Sequence, residues 1–243
     1  MRSEGPVIGF KIEGKPYALT LSWISHRHSS NNELMLVKVG ILEDEPLFAS
    51  LLSKSIHGGE RTVEFVASKP SEFLSLSRLK TIDCAVLDVH LGEGPSGFEV
   101  AHKIRLENPT VGIVFLTSFE DPRLFTKSVP DLPIGSRYLV KQEIDDFREI
   151  EKYIDDAVSS PDAPLSGIDS KLSELSDDQI EVLRLLARGM TNSEIALEMF
   201  VSEKTVESNI SKTVKTLGIK RFHGGNARVA LARLYYRSAG LKR

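Results

Sequence analysis

From Leu36 onward, short apolar runs alternate with amphipathic stretches. Val37–Leu42 reads as a buried strand and is followed at once by Glu43, Asp44 and Glu45. Pro46 opens a helix carrying apolar Leu47, Leu51, Leu52 and Ile56, and Gly58-Gly59 ends it. Four more strands are expected at Thr62–Ala67, Cys84–Asp88, Gly112–Thr117 and Ser136–Val140. Helices are expected between and after them, at Ser71–Lys80, Gly97–Asn108, Asp121–Ser128 and Ile144–Val158. Five strands alternating with five helices imply α/β architecture, a doubly wound parallel sheet covered on both faces.

The pattern then changes. Ser159–Ser170 is rich in Pro, Ser, Gly and Asp, lacks periodicity and reads as a linker. Beyond it only helical signals occur. Ser176 caps a helix through Arg188, with Gly189 past its end; Thr191 or Asn192 opens a short helix to Met199. Ser202 caps a third helix to Leu217, and Asn226–Ser238 is a fourth. The expected division is 1–35 as an N-terminal extension, 36–157 as the α/β domain, 158–171 as linker and 172–243 as a small all-α domain. Residues 1–34 match no element, and Met35, just before the first strand, is a possible alternative start. His26 and His28 are half a metal site without a third ligand, and read as exposed residues.

Composition narrows the class. Apolar residues make up 41% and charged residues 27% of the chain, which excludes fibrous and wholly disordered classes. No apolar run is long enough to span a bilayer, and no secretory signal stands at the N-terminus. The single cysteine, Cys84, lies in an apolar strand and suits a reducing cytoplasm. Charge is uneven: the net is −6 over residues 1–159 and +3 over 160–243, with no acidic residue after Glu207. A basic C-terminal end points to a nucleic-acid surface.

The candidate chemistry sits at strand ends. Glu43 and Asp44 follow the first strand, Asp88 ends the third, Thr117 ends the fourth and Lys141 follows the fifth. In an open α/β sheet such residues converge on the crevice outside the carboxyl ends of the strands. Clustered carboxylates call for a hard cation such as Mg²⁺. Asp88 is then placed to attack phosphorus, with Lys141 neutralising the phosphoryl charge and Thr117 hydrogen-bonding one of its oxygens.

VGILEDEP, AVLDVHL, VFLTS and YLVK resemble the receiver domain of two-component response regulators, over about residues 36–157. The resemblance implies a flavodoxin-like fold and phosphoryl transfer to Asp88 from a sensor histidine kinase. It implies that Mg²⁺ is held by Asp44, Asp88 and the His90 main-chain carbonyl, with Glu43 helping through water. It pairs Thr117 with Tyr138 as side chains that turn inward on phosphorylation. Gln142 after Lys141 and the long Pro-rich stretch SVPDLPIG depart from the usual pattern.

In the helical part, Ile195, Ala196, Met199, Val206, Ile210 and Leu217 are spaced as a helix–turn–helix, whose second helix enters the major groove. That leaves Lys204, Glu207, Ser208, Ser211, Lys212 and Lys215 outward. LSDDQIEVLRLLARGMTNSEIA followed by VSEKTVESNISKTVKTLGI resembles the LuxR-type helix–turn–helix, over about residues 172–240. With the receiver, this is similar to the NarL/FixJ response regulators. The resemblance assigns Asn192, Lys204, Thr205 and Lys212 to phosphates and Glu207, Ser208 and Ser211 to bases; Glu207 stands where Lys or Arg is common.

The expected function is a cytoplasmic, phosphorylation-controlled transcriptional regulator. Its partners are a histidine kinase and double-stranded promoter DNA. It forms a homodimer when active and is no enzyme beyond its own phosphorylation and dephosphorylation. Two rivals exist. One is a regulator that no longer uses phosphate, suggested by SVPDLPIG and the extension. The other, much weaker, is an Asp-nucleophile, Mg²⁺-dependent phosphohydrolase, which needs an acid two residues after Asp88, where His90 stands.

Overall fold

The computed structural model describes residues 7–12, 15–20 and 36–240, apart from 93, 127–128, 130, 169 and 220–225. His26, His28 and Met35 lie outside the described residues, as do Lys220, Arg221, Lys242, Arg243 and part of SVPDLPIG. The chain divides into two units, Met1–Met35 and Leu36–Arg243.

The first unit contains two strands where none was expected, β1 (Val7–Ile12) and β2 (Lys15–Thr20). They pair antiparallel, with Phe10 opposite Tyr17 and Ile12 opposite Lys15.

The second unit begins with β3 (Val37–Leu42), α1 (Pro46–Ile56), β4 (Arg61–Ala67), α2 (Pro70–Leu79), β5 (Cys84–Asp88) and α3 (Gly97–Glu107). It continues with β6 (Gly112–Thr117), α4 (Pro122–Phe125), β7 (Arg137–Val140) and α5 (Arg148–Ser159). The five strands from β3 to β7 form one parallel sheet in the order β4-β3-β5-β6-β7. The order reverses at β3, so the switch point lies between the ends of β3 and β5. Strands β5, β6 and β7 are buried throughout, as apolar runs in a covered parallel sheet must be.

Leu52, Ile56, Ile150, Ile154 and Ala157 from α1 and α5 pack on one face of the sheet. Phe73, Phe98, Ala101 and Ile104 from α2 and α3 pack on the other. Here α4 differs from expectation. It spans four residues instead of Asp121–Ser128, and its Leu124 belongs to the core of the following helical domain. On the sheet, Leu132, Leu165 and Ile168 fill in instead. The helix α5 starts at Arg148 rather than Ile144; a 3₁₀ turn at Lys141–Glu143 precedes it, and Asp146 Oδ1 accepts from the Arg148 amide at 2.9 Å.

The aperiodic segment after α5 is not loose. The Gly135 amide donates to the Ala163 carbonyl at 2.7 Å and the Tyr138 amide to the Ser166 carbonyl at 2.8 Å, so the segment lies along the open edge of β7. Gly167 (φ +100°) makes this close approach possible: a Cβ there would fall 1.9 Å from the Tyr138 carbonyl oxygen.

Four helices follow, α6 (Asp177–Ala187), α7 (Asn192–Glu198), α8 (Glu203–Thr216) and α9 (Ala227–Ser238). Ser176 and Thr191 each form a capping box, with Gln179 and Glu194 respectively, so Thr191 rather than Asn192 is the N-cap of α7. Ile180, Leu183, Ile195, Val206 and Leu231 form the core of this domain. No helix among the described residues is long and apolar enough to cross a membrane.

Candidate phosphoryl site and nucleic-acid interface

The sheet order brings the strand-end residues together. Lys141 Nζ donates to Glu43 Oε2 at 2.7 Å and to Asp88 Oδ2 at 3.0 Å. Its ammonium also stands 4.6 Å from the Phe48 ring centroid. The second oxygen of each carboxylate accepts from the chain two residues on: Glu43 Oε1 from the Glu45 amide, Asp88 Oδ1 from the His90 amide, both at 3.2 Å. Glu43 and Asp88 are buried, whereas Asp44 is exposed at the mouth.

Electrostatics here are under-compensated. Burial, and then the neighbouring Asp88, push the Glu43 carboxyl up to about 7. Burial also raises Asp88, against the pull of Lys141 and the His90 amide. Burial disfavours the Lys141 charge, but Asp88 and Glu43 hold its pKa above the ordinary lysine value. One ammonium therefore serves two buried carboxylates, with a third beside them.

Glu43, Asp44 and Asp88 each offer a carboxylate oxygen, and these lie within 4.8 Å of one another. An all-oxygen set with an exposed member open to water fits a hard divalent cation of the Mg²⁺ type.

Thr117 is fully buried, and its Oγ1 accepts from the Phe119 amide at 3.2 Å. Tyr138 is also fully buried, its hydroxyl donating to the Phe119 carbonyl at 2.8 Å. Its side chain already points inward. The exposed His90 ring meets Phe119 and Phe125 edge-on, at 6.1 and 5.8 Å between centroids.

Phe119 and Phe125 bracket contacts that the sequence reading missed. Arg123 donates to Asp121 and also reaches the helical domain: to the Leu172 and Leu175 carbonyls at 2.8 and 2.7 Å, and to Asp177 at 3.0 Å. Leu124, 1% exposed, inserts among the helices. Glu120 bonds to Ser238 at the end of α9. Phe119 to Phe125 thus clasp the helical domain through α6, α9 and the turn before α6. Only Asp121-Pro122, a cap followed by a helix-opening proline, marks this segment in the sequence.

Within the helical domain, α7 and α8 pack through Ile195 and Val206, both fully buried. Ser202 caps α8 by accepting from the Thr205 amide at 3.1 Å. Lys204, Thr205, Glu207, Ser208, Ser211 and Lys212 are all exposed along α8. Asn192 is half-buried, and its carboxamide oxygen accepts from Arg228, which also bonds to the Met190 carbonyl. The clasp leaves the outer side of α8 open.

Residues 39–154 match the response regulator receiver domain family, and residues 173–222 match the family of bacterial regulatory proteins of the luxR type. The chain is 28% identical over 200 residues to the DNA-binding transcriptional activator DevR/DosR of Mycobacterium tuberculosis (strain ATCC 25618 / H37Rv), covering 76% of this chain and 90% of that protein. It is 30% identical over 153 residues to the oxygen regulatory protein NreC of Staphylococcus aureus (strain bovine RF122 / ET3-1), covering 57% of this chain and 70% of that one. The fold is similar to that of the two-component response regulator RcsB in its DNA complex (TM-score 0.55, 23% identity, 84% of this chain and 98% of that one). It is also similar to RcsB of Salmonella enterica serovar Typhimurium bound to promoter P1flhDC (TM-score 0.53, 22% identity, 83% and 98%). The chain belongs to the NarL/FixJ-type response regulators, which join a receiver to a LuxR-type DNA-binding domain.

Proposed function

We propose that this response regulator accepts a phosphoryl group on Asp88 and thereby controls how its LuxR-type domain engages double-stranded promoter DNA. The observation that carries this reading is the Asp88 carboxylate at the end of β5, held by Lys141 and the His90 amide beside Glu43 and Asp44. An oxygen of Asp88 attacks the phosphorus of a phosphohistidine on a sensor kinase; the P–N bond breaks as the acyl phosphate forms. Mg²⁺ held by Glu43, Asp44, Asp88 and the His90 carbonyl would neutralise charge on the phosphoryl oxygens. Lys141 then exchanges its bond to Asp88 for one to a phosphoryl oxygen. The Thr117 hydroxyl, which now accepts from Phe119, donates to another. The chain turns over no other substrate.

On DNA, Lys204, Thr205, Lys212 and Asn192 serve phosphates, and Glu207, Ser208 and Ser211 face base edges. The active form is a homodimer, working in the cytoplasm. The functional division follows residues 36–157, 158–171 and 172–243.

A second reading, DNA binding independent of phosphate, draws on two observations. Tyr138 is already inward, and the outer side of α8 is exposed while the clasp is closed. Intact-mass measurement with acetyl phosphate and Mg²⁺ separates the two. One labile phosphate, absent from Asp88→Asn, supports the first; a label surviving that substitution overturns it. No label, with DNA binding intact, supports the second.

A further inference from the structure

Gly240, just past the end of α9, is seated on the receiver. Its φ is +68°, and a Cβ on it would fall 2.6 Å from Ser118 Cβ and 3.1 Å from the Ser118 carbonyl oxygen, and would also meet Gln142 Nε2. The Gln142 carboxamide is the far end of a flexible side chain and can move aside. The Ser118 Cβ is fixed to its backbone and cannot. Glycine is what lets the end of α9 come this close to the receiver.

The two residues beneath it have particular neighbours. Ser118 directly follows Thr117, and Gln142 directly follows Lys141, the two side chains assigned above to the phosphoryl oxygens. A second connection runs beside this one. Thr117 Oγ1 accepts from the Phe119 amide at 3.2 Å, and the next amide, that of Glu120, donates to the Ser238 carbonyl at 2.8 Å. Two consecutive peptides thus join Thr117 to the last turn of α9, where Ser238 and Ala239 are buried.

A phosphoryl group on Asp88 adds roughly −1.5 to −2 charge units, the phosphoserine value. It draws the Thr117 hydroxyl and the Lys141 ammonium toward itself. As Thr117 turns, its oxygen either leaves the Phe119 amide or carries that peptide along. Both outcomes disturb the 118–120 backbone on which Ser238 and Gly240 rest. Close-packed contacts of this kind hold or break rather than stretch.

We propose that Gly240 is a positioning residue for phosphoryl transfer. Seated on Ser118 and Gln142, it holds the segments that follow Thr117 and Lys141 in their unphosphorylated arrangement, so the DNA-binding domain sets how readily Asp88 carries a phosphoryl group. This rests on the reading of Asp88 as the phosphoacceptor. The coupling is reciprocal: the factor by which docking weakens the bound phosphoryl state equals the factor by which that state weakens docking.

The test reads the two ends separately in the full-length protein. Beryllofluoride with Mg²⁺ reports the pocket, because it builds a phosphoryl-shaped group on a carboxylate reversibly. Hydrogen exchange at the Glu120 amide, whose acceptor is the Ser238 carbonyl, reports docking. Gly240→Ala should bind beryllofluoride about fivefold or more tightly than wild type and exchange faster at Glu120. Ser118→Gly in that background removes the Cβ that the new methyl meets, and should return both readings at least halfway. In the unaltered protein, beryllofluoride should speed exchange at Glu120. A variant that is only destabilised would bind beryllofluoride equally or less well.

Four results would overturn the inference. Faster exchange in Gly240→Ala with equal or weaker beryllofluoride binding would uncouple the seat from the pocket. Unchanged exchange in that variant would mean that the seat does not hold the domain. Absence of rescue by Ser118→Gly would place the effect in the backbone of residue 240 alone. A Glu120 amide equally protected with and without beryllofluoride would deny the link in the unaltered chain. An unaltered protein that takes up neither beryllofluoride nor a label from acetyl phosphate, or a label that survives Asp88→Asn, would instead overturn the phosphoacceptor reading, and this inference with it.

Discussion

Glu120 and Ser238 hold each other twice across 118 residues of sequence. The Ser238 hydroxyl donates to Glu120 Oε2, and the Glu120 amide donates to the Ser238 carbonyl, both at 2.8 Å. One bond fixes the side chains and the other fixes the backbones, so the two domains meet in a defined register. Ser238 is fully buried, and Glu120 Oε2 also accepts from Ser170.

Ser238→Ala should therefore weaken the clasp. A hydrogen bond to a charged group contributes about 1.5–3 kcal/mol, and the surviving backbone bond and Ser170 put the loss near the low end. Urea unfolding of the full-length protein checks the size. A double-mutant cycle with Glu120→Gln should show coupling above about 0.5 kcal/mol, whereas additive losses would mean that the pair does not act as one.

Glu43 gives the site a pH signature in the absence of divalent cations. Its folded-state pKa of about 7 lies above the ordinary 4.5. A raised carboxyl favours the folded state when protonated and opposes it when ionised, so stability falls as pH rises from about 4.5 to about 7. Glu43→Gln should remove that fall, making the variant more stable than wild type at pH 8 by on the order of 2 kcal/mol. Denaturation in EDTA at pH 5 and pH 8 tests the sign: an advantage at pH 5 and none at pH 8 would reverse it.

Gly167→Ala should dislodge the connector. The φ of +100° alone costs an alanine roughly 1–3 kcal/mol, and its Cβ would also collide with the Tyr138 carbonyl. Limited proteolysis should then cut within residues 160–170 faster than in wild type. Equal rates would show that the segment is held by something other than the β7 edge.

DNA binding should fall with salt in proportion to the phosphates contacted. Lys212→Ala should reduce the log–log salt slope by about 0.9, as loss of one contact requires. Glu207→Lys should increase it by a similar amount and raise affinity for random DNA. Glu207→Ala should relax preference at one base position in a randomised operator library. An unchanged profile would reduce Glu207 to a helix-surface residue paired within its own turn, worth a few tenths of a kcal/mol.

Cys84 should be inert while the protein is folded. Its thiol is fully buried in β5, and burial pushes its pKa far above the usual thiol range. Alkylation with iodoacetamide at pH 8 should wait for global unfolding, and rapid labelling of the native protein would contradict the packing around β5.

The residues of the acidic site could be read from the chain because each follows an apolar run that only a covered strand explains. Glu43, Asp88, Thr117 and Lys141 needed no contact information beyond the order of the strands. The clasp could not be read that way. Glu120 and Ser238 are polar residues far apart in sequence, and nothing local marks either for the other. The connector escaped for a different reason. It joins β7 through main-chain bonds such as Tyr138 to Ser166, which impose no side-chain periodicity. Its only sequence traces are Gly135 and Gly167. The helix α4 is shorter than the expected Asp121–Ser128, and its apolar Leu124 serves another domain's core, a use that no local pattern marks. The strands Val7–Ile12 and Lys15–Thr20 did carry a signal: two β-prone runs stand either side of Glu13-Gly14, the spacing of a hairpin.

A connector fastened along β7 also acts as a tether of two lengths. Fastened, it holds the DNA-binding domain at one address on its receiver. Unzipped, its roughly 11 residues reach about 36–40 Å at full extension. Successive half-sites on one face of duplex DNA lie about 34–36 Å apart. The unzipped reach matches that distance, yet it becomes available to the DNA-binding domain only once the clasp at residues 119–125 opens as well, so the edge contact at Gly167 and the clasp restrain that domain in series.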